Sequence, residues 1–191
     1  MTYTVKYYKD NIEVVRDKIE VTKKELEEAI AKGHLQMYLQ PQTTADEKVI
    51  GAEALIRWNH PVRGTLSPDV FIPIFEKNGL ITEVDKYMWE AACKQLRKWQ
   101  DEGRREVYIS VNISPKDFYF VDVYQTFVGL LEKYRIQPRY LKLEITESAV
   151  MMDFESHRDL INRLRGLGFV VEMDDFGSAY SSLNMLKDID V

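Results

Sequence analysis

The sequence holds a single cysteine, Cys93, in 191 residues. One thiol can form neither an internal disulfide nor a cysteine-based zinc site. Cys93 falls within a helical pattern, where a small core residue is the expected role. Positive charge is not in excess, since the formal net charge is -5. Binding DNA or RNA as a polymer needs a basic face, so that class of partner is not expected. An anionic small substrate would have to be met by local cations. Long apolar runs are also missing. None approaches the ~20 residues that span a bilayer, so no membrane segment is expected in this chain. The first residues, Met1–Asp10, lack the apolar core of a secretory signal. The expected location is the cytoplasm.

What is present has the balance of an ordinary globular domain, 45% apolar and 30% charged. The length suits one domain with a real core, or part of a larger one. Residues 9–33 read as helix, with Ile12, Val15, Ile19, Leu26 and Ile30 at helical spacing. Thr22 with Glu25 fits a capping box, so two helices are expected, the second ending at Gly33. Residues 1–33 thus read as a lead-in, a linker or the tail of an upstream domain, ahead of a domain over 34–191. Leu35–Pro41 is a short strand closed by proline, Thr43–Lys48 a turn, Val49–Trp58 a strand and Asn59–Gly64 a loop. A helical region from Pro68 to Gly103 breaks at Asn78 and Gly79. Thr82 with Asp85 is expected to cap its second helix, and Val84, Met88, Ala91, Ala92, Leu96 and Trp99 form the core stripe. Val107–Ser114 alternates as a strand, and Ser114 with Pro115 reads as N-cap and N1 of a helical turn. Phe127, Leu130, Leu131 and Tyr134 mark a helix, and Tyr140–Glu147 alternates again. A helix with Leu160, Ile161, Leu164 and Leu167 stops at Gly168, and Phe169–Gly177 is the last strand.

Strands alternating with helices imply right-handed βαβ units and a mostly parallel sheet. Each strand is apolar on one parity and small or polar on the other. A doubly wound sheet is apolar on both faces, so the pattern suits an α/β, TIM-barrel-like fold whose mouth is a site. Glu53 sharpens this. Ala52, Ala54, Ile56 and Trp58 share one parity of its strand; Gly51, Glu53, Leu55 and Arg57 share the other. A charge buried in a sheet costs several kcal/mol unless it is paired or coordinates a metal. Four successive strands carry an oxygen ligand at or near the C-terminal end: Glu53, Asn112, Glu144, and the pair Asp174 and Asp175. Converging carboxylates repel without a cation. Oxygen ligands of this kind suit Mg²⁺ or Mn²⁺, and adjacent aspartates could reach two ions roughly 4 Å apart, as displacement at phosphorus requires. Arg57 could hold a substrate phosphate. Each acid taken alone reads equally as a surface carboxylate at a strand end, and Lys142 and Glu172 share the polar parity without being ligand candidates. His34, His60 and His157 are expected to stand apart, in loop or helix-surface roles. Tyr7, Tyr8, Phe118, Tyr119 and Phe120 are expected to pack.

With these residues in view, the sequence resembles the EAL domain family of cyclic di-GMP phosphodiesterases. Glu53-Ala54-Leu55 is the signature, within Gly51–Trp58. The likeness extends to Leu39–Gln42, Leu66–Pro73, Val111–Ser114, Leu143–Glu147 and Asp174–Leu183. It implies a modified β/α barrel whose first strand runs antiparallel to the others. It implies a hydrolase that opens cyclic di-GMP to linear pGpG with Mg²⁺ or Mn²⁺ in a two-metal site. By motif, Glu53, Asn112, Glu144 and Asp174 would bind the first metal, and Asp175 would serve the second metal and the attacking water. Glu147 would anchor the loop from Phe176 to Leu183, Arg57 would contact a substrate phosphate, and Gln40 and Leu55 would line the substrate pocket. The lead-in resembles the linker that joins a GGDEF-type or sensor domain to an EAL domain, and a homodimer is compatible with the family. Two departures stand out. A complete barrel takes roughly 250 residues and eight strands, and the sequence shows five strand-like segments, so the chain alone is expected to be weakly active or inactive. Ala179 stands where the family has glycine in the metal-adjacent loop, which costs about 1 kcal/mol if that position needs positive φ. The other reading kept open is a non-catalytic module that binds cyclic di-GMP or regulates a partner.

Overall fold

Thr22 and Glu25 open the first helix. The Glu25 backbone N–H donates to the Thr22 hydroxyl at 3.2 Å, and the Thr22 N–H donates to the Glu25 carboxylate at 2.8 Å. This reciprocal pair satisfies two donors that a helix start would leave unmade. The helix, α1, is Lys23–Ala31, and it buries Leu26 and Ala29. The computed structural model describes residues 21–104 and 106–174, with side chains except those of Glu147, Ser148, Met151 and Phe154. α1 is therefore the second of the two expected helices; residues 9–20, and Ala179 at the other end, lie outside the described residues.

The described chain divides into two compact units. One holds residues 21–36 and 56–81; the other holds 37–55 and 82–174. Strands β1, Leu35–Thr43, and β2, Val49–His60, run through both. β1 continues past Pro41, because β1 is an edge strand among the described residues and an edge tolerates a missing N–H.

In the first unit, the stretch expected as a loop after Trp58 is a tight hairpin. β3, Gly64–Leu66, pairs antiparallel with β2 from Trp58 to His60. Gly64 has φ 71, so it supplies the left-handed residue that the short turn needs. α2, Pro68–Asn78, starts with proline in its first turn and stops at Gly79, φ 75. Trp58, 3% exposed, stacks on Phe75 at 5.5 Å and meets Phe71 edge-on at 5.6 Å.

The second unit carries the sheet that concerns function. Only five residues, 44–48, join β1 to β2, and Thr44 N–H donates to the Lys48 carbonyl across that turn at 3.0 Å. A connection this short allows only an antiparallel pair. β4, Tyr108–Ile113, β5, Leu141–Thr146, and β6, Val170–Asp174, then add in parallel, in the order β1-β2-β4-β5-β6. The helices between them are α3, Ile81–Asp101; α4, Asp117–Phe120; α5, Val123–Tyr134; α6, Glu147–Met152; and α7, Phe154–Gly166. Among the described residues six strands are present where five were expected, and the sheet is open, with β1 and β6 at its edges.

The apolar strand face is as anticipated. Ile109, Val111, Ile113, Leu141, Leu143 and Ile145 are all buried. Trp89 and Phe127 lie 4.7 Å apart, and Phe169 continues the cluster. Three details differ. α3 begins at Ile81, so Thr82 lies inside its first turn rather than capping it. α4 begins at Asp117, because Ser114 donates its N–H and hydroxyl to the Asp117 carboxylate and the chain between them turns before becoming helical. The unanticipated α6 is capped by the Thr146 hydroxyl, which accepts from Ala149 N–H at 3.3 Å. No helix among the described residues is long and apolar enough to cross a membrane.

Candidate functional site

Strand register decides which side chains share a face. Glu53 pairs with Ser110, Asn112 with Glu144, and Thr146 with Asp174. Ser110 and Asn112 are two residues apart on β4, and Glu144 and Thr146 two apart on β5. Side chains two apart point the same way. Glu53, Asn112, Glu144 and Asp174 therefore all lie on the polar face. They also climb: Asn112 and Glu144 stand two residues beyond the level of Glu53, and Asp174 two further. A staggered row of this kind is what a tilted barrel strand set produces.

Glu144 is the group most marked by this placement. It is 8% exposed. Its carboxyl is pushed above the usual range, first by burial and then by the charges of Glu53, Asp174 and Glu172, against the opposing effect of the Ser110 hydroxyl. Lys142 and Glu172, on the same face at the levels of Glu53 and Glu144, satisfy each other. Lys142 Nζ lies 2.6 Å from the Glu172 carboxylate and 3.9 Å over the Tyr108 ring. Burial acts against the Lys142 charge, but Glu172 outweighs it and raises Lys142 above the ordinary lysine value.

An all-oxygen donor set around a crowded carboxyl fits a hard divalent cation. Among the described residues, however, no three His, Cys, Asp or Glu side chains gather closely enough to hold a metal ion. Register thus brings the candidates to one face without drawing them to ligand distance. Asp175 lies outside the described residues, and Glu147 is described only as the first residue of α6. Gln40 is exposed on β1 and Leu55 half-buried on β2. Arg57, in the other unit, is half-buried and donates from Nη1 to the Ile56 carbonyl at 2.8 Å.

Sequence reasoning missed two side chains that reach the candidate strand ends. Trp89 is fully buried and donates its indole N–H to the Asn112 carbonyl at 2.9 Å. Asp117 is fully buried and accepts from Ser114. Trp89 adjoins Met88 of the expected stripe and could have been found by widening that stripe by one residue. Two expectations for histidine fail as well. The antiparallel β1–β2 pair brings His34 and His60 to one cavity of about 370 Å³ in the first unit. His157 is buried, with Nδ1 2.7 Å from the Ala149 carbonyl and its ring 4.1 Å from Phe118.

The protein's class follows from comparison with known families. Residues 23–191 match the EAL domain, and the chain belongs to that family. The match takes in α1. Among curated relatives, the bifunctional diguanylate cyclase/cyclic di-GMP phosphodiesterase MucR of Pseudomonas aeruginosa is 35% identical over 164 residues, which is 85% of this chain and 24% of MucR. The cyclic di-GMP phosphodiesterase NbdA of the same organism is 35% identical over 164 residues, 85% of this chain and 21% of NbdA. The chain thus spans about a quarter of the length of these relatives. Among solved structures, the PaMucR phosphodiesterase in complex with c-di-GMP superposes with a TM-score of 0.83 at 34% identity, over 88% of this chain and 68% of that one. The fold is accordingly α/β and TIM-barrel-like, of the EAL type.

Proposed function

We propose that this chain comes from a metal-dependent phosphodiesterase that opens cyclic di-GMP to linear pGpG. One observation supports the reading above others: Glu53, Asn112, Glu144 and Asp174 fall on one polar face in a staggered row, with Glu144 buried among like charges. MucR and NbdA are named for that activity, and PaMucR has been solved with c-di-GMP. In this reading Glu53, Asn112, Glu144 and Asp174 hold a first divalent ion, and Asp175 serves a second and orients the water. When bound, Mg²⁺ or Mn²⁺ supplies charge neutralisation at phosphorus and lowers the pKa of water. Arg57 receives a substrate phosphate, Gln40 and Leu55 line the pocket, and Glu147 holds the loop that follows Asp175. Residues 1–33 serve as a lead-in from an upstream GGDEF-type or sensor domain, 34–191 form the EAL part, and the protein works in the cytoplasm, a homodimer being compatible with this reading. The bifunctional naming and greater length of MucR support the upstream domain.

A second reading, a module that binds cyclic di-GMP without hydrolysing it, is compatible with the lack, among the described residues, of three acids gathered closely enough to hold a metal ion. Two assays on the full chain separate these. Calorimetry with cyclic di-GMP in Ca²⁺ tests binding alone, and chromatography of the nucleotide with Mn²⁺ tests hydrolysis. Binding with slow pGpG release, abolished by Glu53→Gln, is the expected result. Binding with no pGpG at all would favour the second reading. No binding heat in either metal would overturn both.

A further inference from the structure

In the second unit, α3 grips the end of β4 at two points. The first is the Trp89 indole N–H on the Asn112 carbonyl, at 2.9 Å. The second is a pair of acids. Asp117 Oδ2 accepts from Ser114 N–H at 2.8 Å and from the Ser114 hydroxyl at 2.9 Å. The Asp85 carboxyl adjoins that of Asp117. Two carboxylates have no donor between them, so a hydrogen bond across the pair requires one shared proton. Burial raises the Asp117 carboxyl against the Ser114 bonds, which favours a proton held between the two acids.

Asp85 and Trp89 are four apart on α3 and so stand on one helix face. Trp89 acts directly on Asn112, and Asp85 acts through Asp117 on Ser114, at the point where β4 leaves the sheet. β4 ends at Ile113, and Asn112 presents its side chain on the polar face. A ligand on the last turn of a strand keeps its height and rotation only if the backbone there is held from outside the ladder. Tolerance at such a site is small, about 0.5 Å.

We propose that Asp85, Trp89 and Asp117 are positioning residues: a clamp from α3 and α4 that sets Asn112 over the polar face and so sets the divalent-ion affinity of the site. This rests on reading Asn112 as a metal ligand. Outer partners of metal ligands typically matter by 10- to 100-fold in affinity.

The test uses the full chain, two readouts, five single variants and one double variant. The ¹⁵N-NMR signals of the Asn112 side-chain amide report its position without metal. Electron paramagnetic resonance of free Mn²⁺ reports affinity. Trp89→Phe and Asp117→Ala are expected to shift or broaden the Asn112 signals and to weaken Mn²⁺ binding roughly tenfold. Asp117→Asn is expected to restore both, because its amide oxygen still accepts from Ser114 and its NH₂ donates to Asp85. In an Asn112→Ala background, Asp117→Ala should have no further effect on Mn²⁺. Ile161→Val, a buried change on α7, serves as the stability control and should move neither readout. Should Trp89→Phe not fold, the two Asp117 variants decide the matter. Unmoved Asn112 signals in Asp117→Ala would overturn the clamp. Unchanged Mn²⁺ affinity in Asn112→Ala would overturn the ligand reading instead, leaving the amide signals to decide whether the clamp exists.

Discussion

Cys93 shows how burial can dominate the behaviour of a residue. Its thiol is pushed from 9.0 up to about 12, chiefly by desolvation and then by the Glu90 charge. The folded value lies above the unfolded one, so the unfolded chain releases the proton first as pH rises. The stability that depends on the neutral thiol is full below about pH 9 and is lost progressively towards pH 12, at about 1.4 kcal/mol per pH unit. Urea unfolding at pH 8 and pH 10 should therefore show a larger loss for the wild type than for Cys93→Ala. Native protein at pH 8 should also leave Cys93 unlabelled by a thiol reagent, and rapid labelling would contradict its burial. Phe75 makes the comparable apolar case. It is fully buried against Trp58 and Phe71, and Phe75→Ala should cost about 3–5 kcal/mol in chemical denaturation.

At the scale of elements, two local devices can be broken singly. Thr22→Ala removes the hydroxyl half of the α1 capping box, and a loss of about 1 kcal/mol is expected from thermal melts. Gly51 holds the β2–β4 pair together in a different way. It stands opposite Tyr108, and a Cβ there would lie 2.3 Å from the Tyr108 ring. Gly51→Ala must displace the ring, which also carries the Lys142 ammonium. A cost of about 1–3 kcal/mol is expected, partly relieved in Gly51→Ala/Tyr108→Ala. Equal losses with and without Tyr108 would place the strain elsewhere.

For the molecule as a whole, the polar face trades stability for its proposed role. Glu144 is buried near Glu53 and Asp174, and like charges there oppose folding unless a cation is present. Glu144→Gln should raise the melting temperature of the metal-free chain. It should also shrink the further rise that Mn²⁺ produces in the wild type, a rise that EDTA reverses. A wild-type melting temperature indifferent to both Mn²⁺ and EDTA would count against the metal reading. The trade-off has the form expected where function places charges that folding alone would not choose.

The sequence by itself determined what is periodic and local. Alternation in Val107–Ser114 and Tyr140–Glu147 specified two strands and their greasy faces, because one buried face forces a period of two. Thr22 with Glu25 specified a helix start, because both bonds close within four residues. The ordered motifs from Leu39 to Leu183 specified the family. The candidate ligands Glu53, Asn112, Glu144 and Asp174 were legible as strand-end oxygens, though Lys142 and Glu172 were indistinguishable from them by parity. Only the tertiary structure decided register, and register is a pairing between segments dozens of residues apart that no local pattern encodes. It placed the four candidates on one face, paired Lys142 with Glu172 among them, and set Trp89 and Asp117 against the end of β4. It also turned Asn59 and His60 into a hairpin with β3, because the cross-strand bonds of that pair outweigh the loop-like look of the sequence between them.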